Sequence, residues 1–237
     1  MDKDKYSITL LGDSISKGVV YDEKKNKYVL LKDSFCNIVE KNLSAAVNNA
    51  GKFGSTIIKG SKKLYEVLTK ETPDIVLIEF GGNDCDFNWE EIALKPYESH
   101  EPNTPLMIFE NTLKALVDSL KAKNVIPVLM TLPPLDSERY YRWVSKNRED
   151  YAKNILTWLG TVNKIYNWQD AYNSIIINLA KETGTRLIDV RSEFLNKEDY
   201  SDYLCSDGIH PNEKGHKLMA DKILNYIKNN YSFLIKN

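Results

Sequence analysis

The sequence predicts an α/β protein built on one doubly wound parallel sheet. Short apolar runs rich in β-branched residues alternate along the chain with longer stretches in which apolar residues recur at helical spacing. The runs are continuously apolar, which is typical of parallel strands covered by helices on both faces. No linker, repeat or low-complexity segment interrupts the alternation. We therefore expect a single domain over residues 1–237.

Five segments have the pattern of strands and five have the pattern of amphipathic helices. The predicted strands are, in chain order, Tyr6–Leu11, Ala45–Asn48, Asp74–Phe80, Val125–Leu132 and Arg186–Val190. The predicted helices are Ser34–Leu43, Thr56–Leu68, Leu106–Ala122, Asp170–Lys181 and Glu213–Asn229. Because strands and helices alternate, we expect the strands to pair in parallel through helical crossovers.

Two further segments, Cys85–Pro105 and Asp136–Trp168, are longer than the sheet requires and contain many aromatic residues. Both follow the carboxyl ends of predicted strands, the edge at which open α/β sheets bind ligands. Two interpretations stay open. The segments form functional loops or lids at that edge, or their aromatic side chains pack helical excursions onto the body of the protein.

The composition excludes several classes of partner. The chain is 42% hydrophobic and 27% charged with a formal net charge of −1, so no global field attracts it to nucleic acid or anionic lipid. Lys24, Lys25 and Lys27 form the densest basic cluster, in a polar stretch that predicts a solvated loop. The N-terminal sequence has no apolar run long enough for a signal peptide or a membrane span. We therefore expect a cytoplasmic protein with no stable membrane insertion.

The three cysteines, Cys36, Cys85 and Cys205, have no regular spacing. An odd number of irregularly spaced cysteines argues against a disulfide framework and against a zinc site. We expect free thiols and no bound metal. His216 lies near the Asp207–His210 segment but lacks partners at ligand spacing, and we expect it on a helix surface or in a cap.

Two short motifs carry nucleophilic chemistry. Ser14, in Gly12-Asp13-Ser14, directly follows the first predicted strand, where a glycine permits a tight turn. Asp207 precedes His210 by three residues, a spacing that lets the carboxylate fold back onto the imidazole Nδ1. The Nε2 atom would then be free to accept a proton from a serine hydroxyl.

Two further segments offer hydrogen-bond donors at the same edge. Phe80-Gly81-Gly82-Asn83-Asp84 ends the third predicted strand with a side-chain amide, and the glycines of the segment 49–56 follow the second. Donors aimed at one oxygen stabilise the oxyanion of an acyl-transfer reaction. We expect the neighbouring acids, Asp13 and Asp84, to accept hydrogen bonds from nearby backbone.

Taken in order and in strand context, these four segments resemble the SGNH (GDSL) hydrolase family. The resemblance extends from Leu10 to about Ala220 and is closest to small bacterial thioesterases, lysophospholipases and arylesterases. It implies a flavodoxin-like three-layer α/β/α sandwich with a central five-stranded parallel sheet. The segment 12–18 does not have the Gly-Lys-Ser/Thr order of a phosphate-binding P-loop. The sequence also contains no GxSxG, the nucleophile elbow of classical α/β-hydrolases.

The resemblance also implies roles for individual residues. Ser14 would be the nucleophile, His210 the general base and Asp207 the residue that orients it. The oxyanion hole would consist of the Ser14 and Gly54 backbone N–H groups and the Asn83 side chain. Gly54 is favoured over Gly51 because the family donor lies five residues after the position of Asn49. No metal or organic cofactor is needed.

These roles predict a serine ester hydrolase acting on a small-molecule ester, with a preference for short-chain or acetyl esters such as O-acetylated carbohydrate. Three alternatives stay open: a lysophospholipase or thioesterase, an acyl-transferring member, and a ligand-binding member without turnover. The sequence does not choose among substrates, because one fold and one constellation serve many of them.

Overall fold

The computed structural model describes residues 6–236. Residues 1–5 and residue 237 lie outside it, and so does the part of the leader prediction that concerns residues 1–5. Within that range there are seven strands: β1 (Ser7–Gly12), β2 (Val19–Asp22), β3 (Lys27–Leu30), β4 (Ala46–Asn49), β5 (Ile75–Glu79), β6 (Ile126–Met130) and β7 (Arg186–Ile188). The same range contains ten α-helices: α1 (Ser14–Lys17), α2 (Phe35–Asn42), α3 (Ile57–Lys70), α4 (Trp89–Leu94), α5 (Leu106–Ala122), α6 (Ser137–Val144), α7 (Glu149–Leu159), α8 (Lys164–Thr183), α9 (Arg191–Leu195) and α10 (Glu213–Asn230).

Five strands form the central sheet in the order β4-β1-β5-β6-β7, and all neighbouring pairs are parallel. The predicted α/β fold with a five-stranded parallel sheet is confirmed. The register pairs Leu10 with Leu77 and Gly12 with Glu79, so β1 and β5 end side by side. The residues that follow these two central strands therefore emerge together at one edge of the sheet.

The sheet is covered on both faces by helices. Ile8, Leu10 and Leu77 point to one face, where α2 and α10 pack on them, and Leu11 and Ile78 point to the other, under α3, α5 and α8. This alternation follows from the two-residue period of a strand. Burying a Leu or Ile side chain contributes about 1.5–3 kcal/mol, so two apolar faces hold the strands in place beneath the site.

A third apolar cluster is built by the two long segments that the sequence left open. Phe87, Trp89 and Ile92 of the first segment pack against Tyr151, Ile155 and Leu159 of the second. The helical-excursion interpretation therefore describes α4, α6 and α7, while other residues of the same segments line the cleft described below. The fourth predicted helix is also longer than expected, because α8 begins at Lys164 and not at Asp170.

Two sequence expectations differ from the structure. The basic cluster predicted as a loop is only partly one: residues 23–26 form an exposed turn with Asn26 at φ 49°, but Lys27 begins β3, which pairs with β2 in an antiparallel hairpin. His216 is fully buried and not on the helix surface. Its Nδ1 accepts a hydrogen bond from the Phe35 backbone at 3.3 Å, because position 216 falls on the inner, apolar face of α10.

Cys36, Cys85 and Cys205 are buried free thiols. Within residues 6–236, none of the helices combines the length and the apolar character that crossing a lipid bilayer requires.

Candidate active site

The segment after β1 places Ser14 at the sheet edge. A side chain at Gly12 would force its neighbours to move, because its Cβ would lie 2.1 Å from the Ser16 Oγ and 2.8 Å from the Glu79 carbonyl oxygen. Asp13 ends the strand and caps the short helix α1, since its Oδ1 accepts the Ile15 N–H at 2.8 Å. Ser14 is the first residue of α1 and is only 6% exposed. The Gly-Asp-Ser sequence thus makes a sharp strand-to-helix turn with a fixed serine.

The segment before α10 presents the histidine. The Cys205 N–H donates to the His210 carbonyl at 2.8 Å and closes a compact turn. Gly208 has φ +77°, and a Cβ there would lie 2.7 Å from the Asp136 carbonyl oxygen, so only glycine fits without strain. Asn212 then caps α10 by accepting from the Lys214 and Gly215 N–H groups. A backbone hydrogen bond therefore closes the turn, and the Asn212 side chain fixes the start of the helix that follows it.

The structure brings Ser14, His210 and Asp207 into one hydrogen-bonded chain. His210 Nε2 lies 2.9 Å from the Ser14 Oγ, and His210 Nδ1 lies 2.6 Å from the Asp207 Oδ2. With Asp207 ionised, Nδ1 is the donor and Nε2 is left to accept the serine proton. The serine and histidine are separated by 196 positions in sequence, so the fold alone creates this contact.

Asp207 is held as a carboxylate. It is fully buried, which raises its pKa, but the hydrogen bond and charge of His210 lower it, as do the Ile209 and His210 N–H groups, each 3.1 Å from Oδ1. The net result is a pKa below the ordinary value for an aspartate. The residue therefore stays charged at neutral pH and can orient the imidazole.

The predicted oxyanion donors line the same cleft as the serine and histidine. Asn83 uses one amide N–H to bind the Asp13 Oδ2 at 2.9 Å, and the amide carries a second N–H. Gly54 has φ +66°, and neither its N–H nor that of Ser14 has an acceptor among residues 6–236. The Gly51 N–H, in contrast, donates to the Asn49 side chain at 2.9 Å.

The segment 85–105 returns to hold the Asn83 loop. The Asn103 side chain donates to the Asn83 carbonyl at 2.9 Å. Asp84 accepts the Ile57 N–H at 3.0 Å and so joins the loop to the start of α3, as expected for an acid that binds nearby backbone. Burial raises the pKa of Asp84 to about 6. The position of the Asn83 amide therefore depends on three segments of the chain.

An aromatic wall, made of Tyr21, Tyr28, Phe53 and Trp143, stands beside the histidine. The Tyr28 ring lies 5.2 Å from the His210 ring and its hydroxyl donates to the Asp207 Oδ2 at 3.2 Å. The Phe53 ring is nearly parallel to the imidazole, with the centroids 6.4 Å apart. Tyr21 and Trp143 pack edge to face at 4.6 Å. Sequence reasoning missed this wall, because its members come from the hairpin, the loop after β4 and α6.

The cleft extends well beyond the serine, with a volume of about 1460 Å³. Its far side contains Asp86, which accepts hydrogen bonds from the Tyr140 hydroxyl and the Trp89 indole, both at 2.7 Å. Arg139 and Arg142 of α6 also line the cleft. The walls therefore combine aromatic rings with charged and hydrogen-bonding groups.

Comparisons with known proteins agree with this architecture. The model of the GDSL-like lipase/acylhydrolase family matches residues 10–218. The thioesterase 1/protease 1/lysophospholipase L1 of Escherichia coli is 26% identical over 91% of this chain and 80% of its own length. The GDSL esterase/lipase CPRD49 of Arabidopsis thaliana is 23% identical over 75% of this chain. The chain spans less than two thirds of the plant relatives it matches, 64% for CPRD49 and 58% for a rice relative.

The crystal structure of a lipase/acylhydrolase from Enterococcus faecalis superposes with a TM-score of 0.68 at 22% identity, over 94% of this chain and 96% of that one. This likeness extends the shared fold over almost the whole chain. A serine, histidine and aspartate in one hydrogen-bonded chain form a constellation that several unrelated folds use for nucleophilic acyl transfer. The chain belongs to the GDSL-like lipase/acylhydrolase family.

Proposed function

We propose that the protein is a serine ester hydrolase that works through an acyl-enzyme, with Ser14 as nucleophile, His210 as general base and Asp207 as the residue that orients His210. One observation carries the proposal: the continuous hydrogen-bonded chain from Ser14 Oγ through His210 to Asp207, with distances of 2.9 and 2.6 Å. Family membership supports the same chemistry.

The reaction has two halves. Ser14 Oγ attacks the ester carbonyl while His210 Nε2 takes its proton, and the resulting oxyanion is bound by the Ser14 N–H, the Gly54 N–H and the Asn83 amide. The carbon–oxygen bond to the leaving group then breaks, and His210 returns the proton to the departing alcohol. Water, deprotonated by His210, attacks the acyl-enzyme; the acid leaves and the proton returns to Ser14.

For the substrate, we propose a short-chain or acetyl ester of a polar alcohol, O-acetylated carbohydrate being one such class. The cleft walls contain Asp86, Arg139 and Arg142 together with aromatic rings. Asp86 and Arg139 have partners within the protein, whereas Arg142 forms no ion pair among residues 6–236. A long alkyl chain would remove the Arg142 guanidinium from water without pairing it, at about 1–3 kcal/mol or more. A polar alcohol can accept hydrogen bonds from Arg142, and rings such as Tyr28 and Trp143 can pack on its apolar faces.

A lysophospholipase or thioesterase is the second candidate. The observation that favours it is the 26% identity with the Escherichia coli thioesterase 1/protease 1/lysophospholipase L1 over 91% of this chain. The two candidates differ in acyl length, so one series of substrates separates them.

The test is hydrolysis of p-nitrophenyl esters from acetate to palmitate by the wild type, by Ser14→Ala and by Ser61→Ala. Ser61 is a serine of α3 outside the cleft, and its replacement serves as the matched control. We expect full activity in the control, loss in Ser14→Ala and a maximum at short chains. A maximum at long chains favours the second candidate, and equal rates with and without Ser14 exclude the proposed nucleophile. Product analysis with added alcohols detects acyl transfer.

A further inference from the structure

Two carboxyl groups, those of Asp13 and Glu79, lie buried directly beneath the nucleophile. Glu79 is the last residue of β5 and Asp13 follows β1, and the register of these neighbouring strands pairs Gly12 with Glu79. Glu79 is 0% and Asp13 is 1% exposed. Within residues 6–236, no lysine or arginine forms an ion pair with either carboxyl group.

The Asp13 carboxyl group accepts short hydrogen bonds on both of its oxygens, whereas the Glu79 carboxyl group accepts them on only one. Asp13 accepts the Ile15 N–H at 2.8 Å on Oδ1 and the Asn83 amide at 2.9 Å on Oδ2. Glu79 accepts the Ser16 hydroxyl at 2.7 Å and, at the long distance of 3.5 Å, the Asp13 N–H, both on Oε2. The Glu79 Oε1 is buried and has no donor among residues 6–236. Asp13 therefore has the surroundings of an anion and Glu79 has those of a neutral acid.

Electrostatics favours one shared proton. Two adjacent carboxylates in a buried site without a cation cannot both be ionised. Burial raises the pKa of Glu79 well above its usual value, and the neighbouring Asp13 raises it further. Burial also raises the pKa of Asp13, but the Ile15 N–H, the charge of His210 and the Asn83 amide lower it. The proton consequently resides on Glu79.

We propose that Glu79 is a positioning residue: its protonated carboxyl group donates to Asp13 and holds Asp13 as the ionised acceptor that aims the Asn83 amide. The inference rests on the proposed function and adds to it a group that touches no substrate. Asp13 also caps α1, the helix that begins at Ser14. One buried proton therefore sets the direction of two oxyanion donors, the Asn83 side chain and the Ser14 N–H.

The test compares Glu79→Gln with Glu79→Met. Glutamine is neutral, has nearly the same shape and keeps one donor and one acceptor, whereas methionine fills the space and donates nothing. We expect Glu79→Met to lower kcat about tenfold to a hundredfold with little change in KM, because a small displacement of a catalytic donor is costly. Glu79→Gln should restore kcat to within about threefold of the wild type. An equal loss in both variants would overturn the proposal, because it would show that a charged Glu79 is required.

A pH profile supplies a second readout. Ionisation of Glu79 at high pH puts two charges side by side, so the wild-type kcat should fall at alkaline pH and the Glu79→Gln kcat should not. The other titratable groups that face the pair are Asp84 and Cys85 after β5 and His210 before α10. All three remain in both proteins. The same alkaline fall in both would assign it to one of them and contradict the role of Glu79.

An infrared measurement separates this inference from the proposed function. At pH 8, the wild type should show the carbonyl band of a protonated carboxyl group, and Glu79→Gln should lack that band. The band does not depend on turnover. Its absence from the wild type would overturn the inference even if Ser14-dependent hydrolysis is observed, and its presence would support the shared proton even if no ester is hydrolysed. Thermal unfolding of each variant verifies that it is folded.

Discussion

The contact between Tyr28 and Asp207 leads to a quantitative prediction about the hairpin. Tyr28→Phe removes one hydroxyl and keeps the ring that packs against His210. Asp207 loses one of its four hydrogen bonds and keeps those from His210 Nδ1 and from the Ile209 and His210 backbone. We expect a weaker hold on the imidazole and a slower chemical step, without a change in the walls of the cleft.

The size of the effect follows from the geometry. A hydrogen bond to a charged group contributes about 1.5–3 kcal/mol. The Tyr28 bond is long at 3.2 Å, beyond the usual range for O–H···O, so we use the lower end. A loss of about 1.4 kcal/mol in the transition state corresponds to a factor of about ten in kcat.

The assay is steady-state hydrolysis of p-nitrophenyl acetate by Tyr28→Phe and by Tyr21→Phe. Tyr21 is the matched control: it lies on the same hairpin and packs against the Tyr28 ring, but its hydroxyl binds Asn26 and not the aspartate. We expect kcat to fall about tenfold in Tyr28→Phe and to change less than twofold in the control. Wild-type kcat in Tyr28→Phe would refute the reasoning, and an equal loss in both variants would assign the effect to the hairpin as a whole.

Three other predictions concern the donors, the turn and the buried histidine. Asn83→Ala should lower kcat about 10²–10³-fold with KM nearly constant, as measured by the same assay, because an oxyanion donor acts in the transition state; a loss confined to KM would contradict this role. Gly12→Ala should lower the free energy of unfolding by about 1–3 kcal/mol in urea titrations, since its Cβ would overlap the Ser16 hydroxyl at 2.1 Å; an unchanged midpoint would contradict the packing argument. Burial lowers the pKa of His216 from 6.5 to about 4, so between these pH values the unfolded chain binds a proton that the folded chain does not. The free energy of unfolding should therefore decrease as the pH falls from 6.5 to 4, by up to about 3 kcal/mol for this group, and it should decrease less in His216→Gln; equal slopes would exclude His216 as the source.

Periodicity and motif position were enough to predict the central sheet and the residues at its edge. Within the run Asp74–Phe80, the first four residues of β5, Ile75–Ile78, are apolar and buried, and a strand covered on both faces needs that pattern. Ser14 and Asn83 follow two neighbouring strands, so their proximity follows from the topology once the strands are parallel. The turn containing Asp207 and His210 could be located because the aspartate and histidine are only three residues apart.

The hairpin and the aromatic wall were not predictable in the same way. Strands β2 and β3 are mostly half-buried or exposed, so they lack the apolar continuity of the central strands β1, β5 and β6. Tyr28 and Trp143 meet only through tertiary contacts between distant segments. The prediction for His216 was wrong for a different reason. Its polar residue type suggested the surface of the helix, but the helical period places it on the buried face of α10.

The 196-residue separation between Ser14 and His210 has a consequence for the protein while it is being synthesised. The nucleophile and the central strand that precedes it are synthesised before the base and its aspartate, and six further strands of the sheet and hairpin lie between them in the chain. A chain that ends before Asp207 therefore contains Ser14 without the histidine that we propose as its base. Under the proposed mechanism, hydrolysis requires both segments in place, so a measured activity reports a fold that includes them and not a partial one.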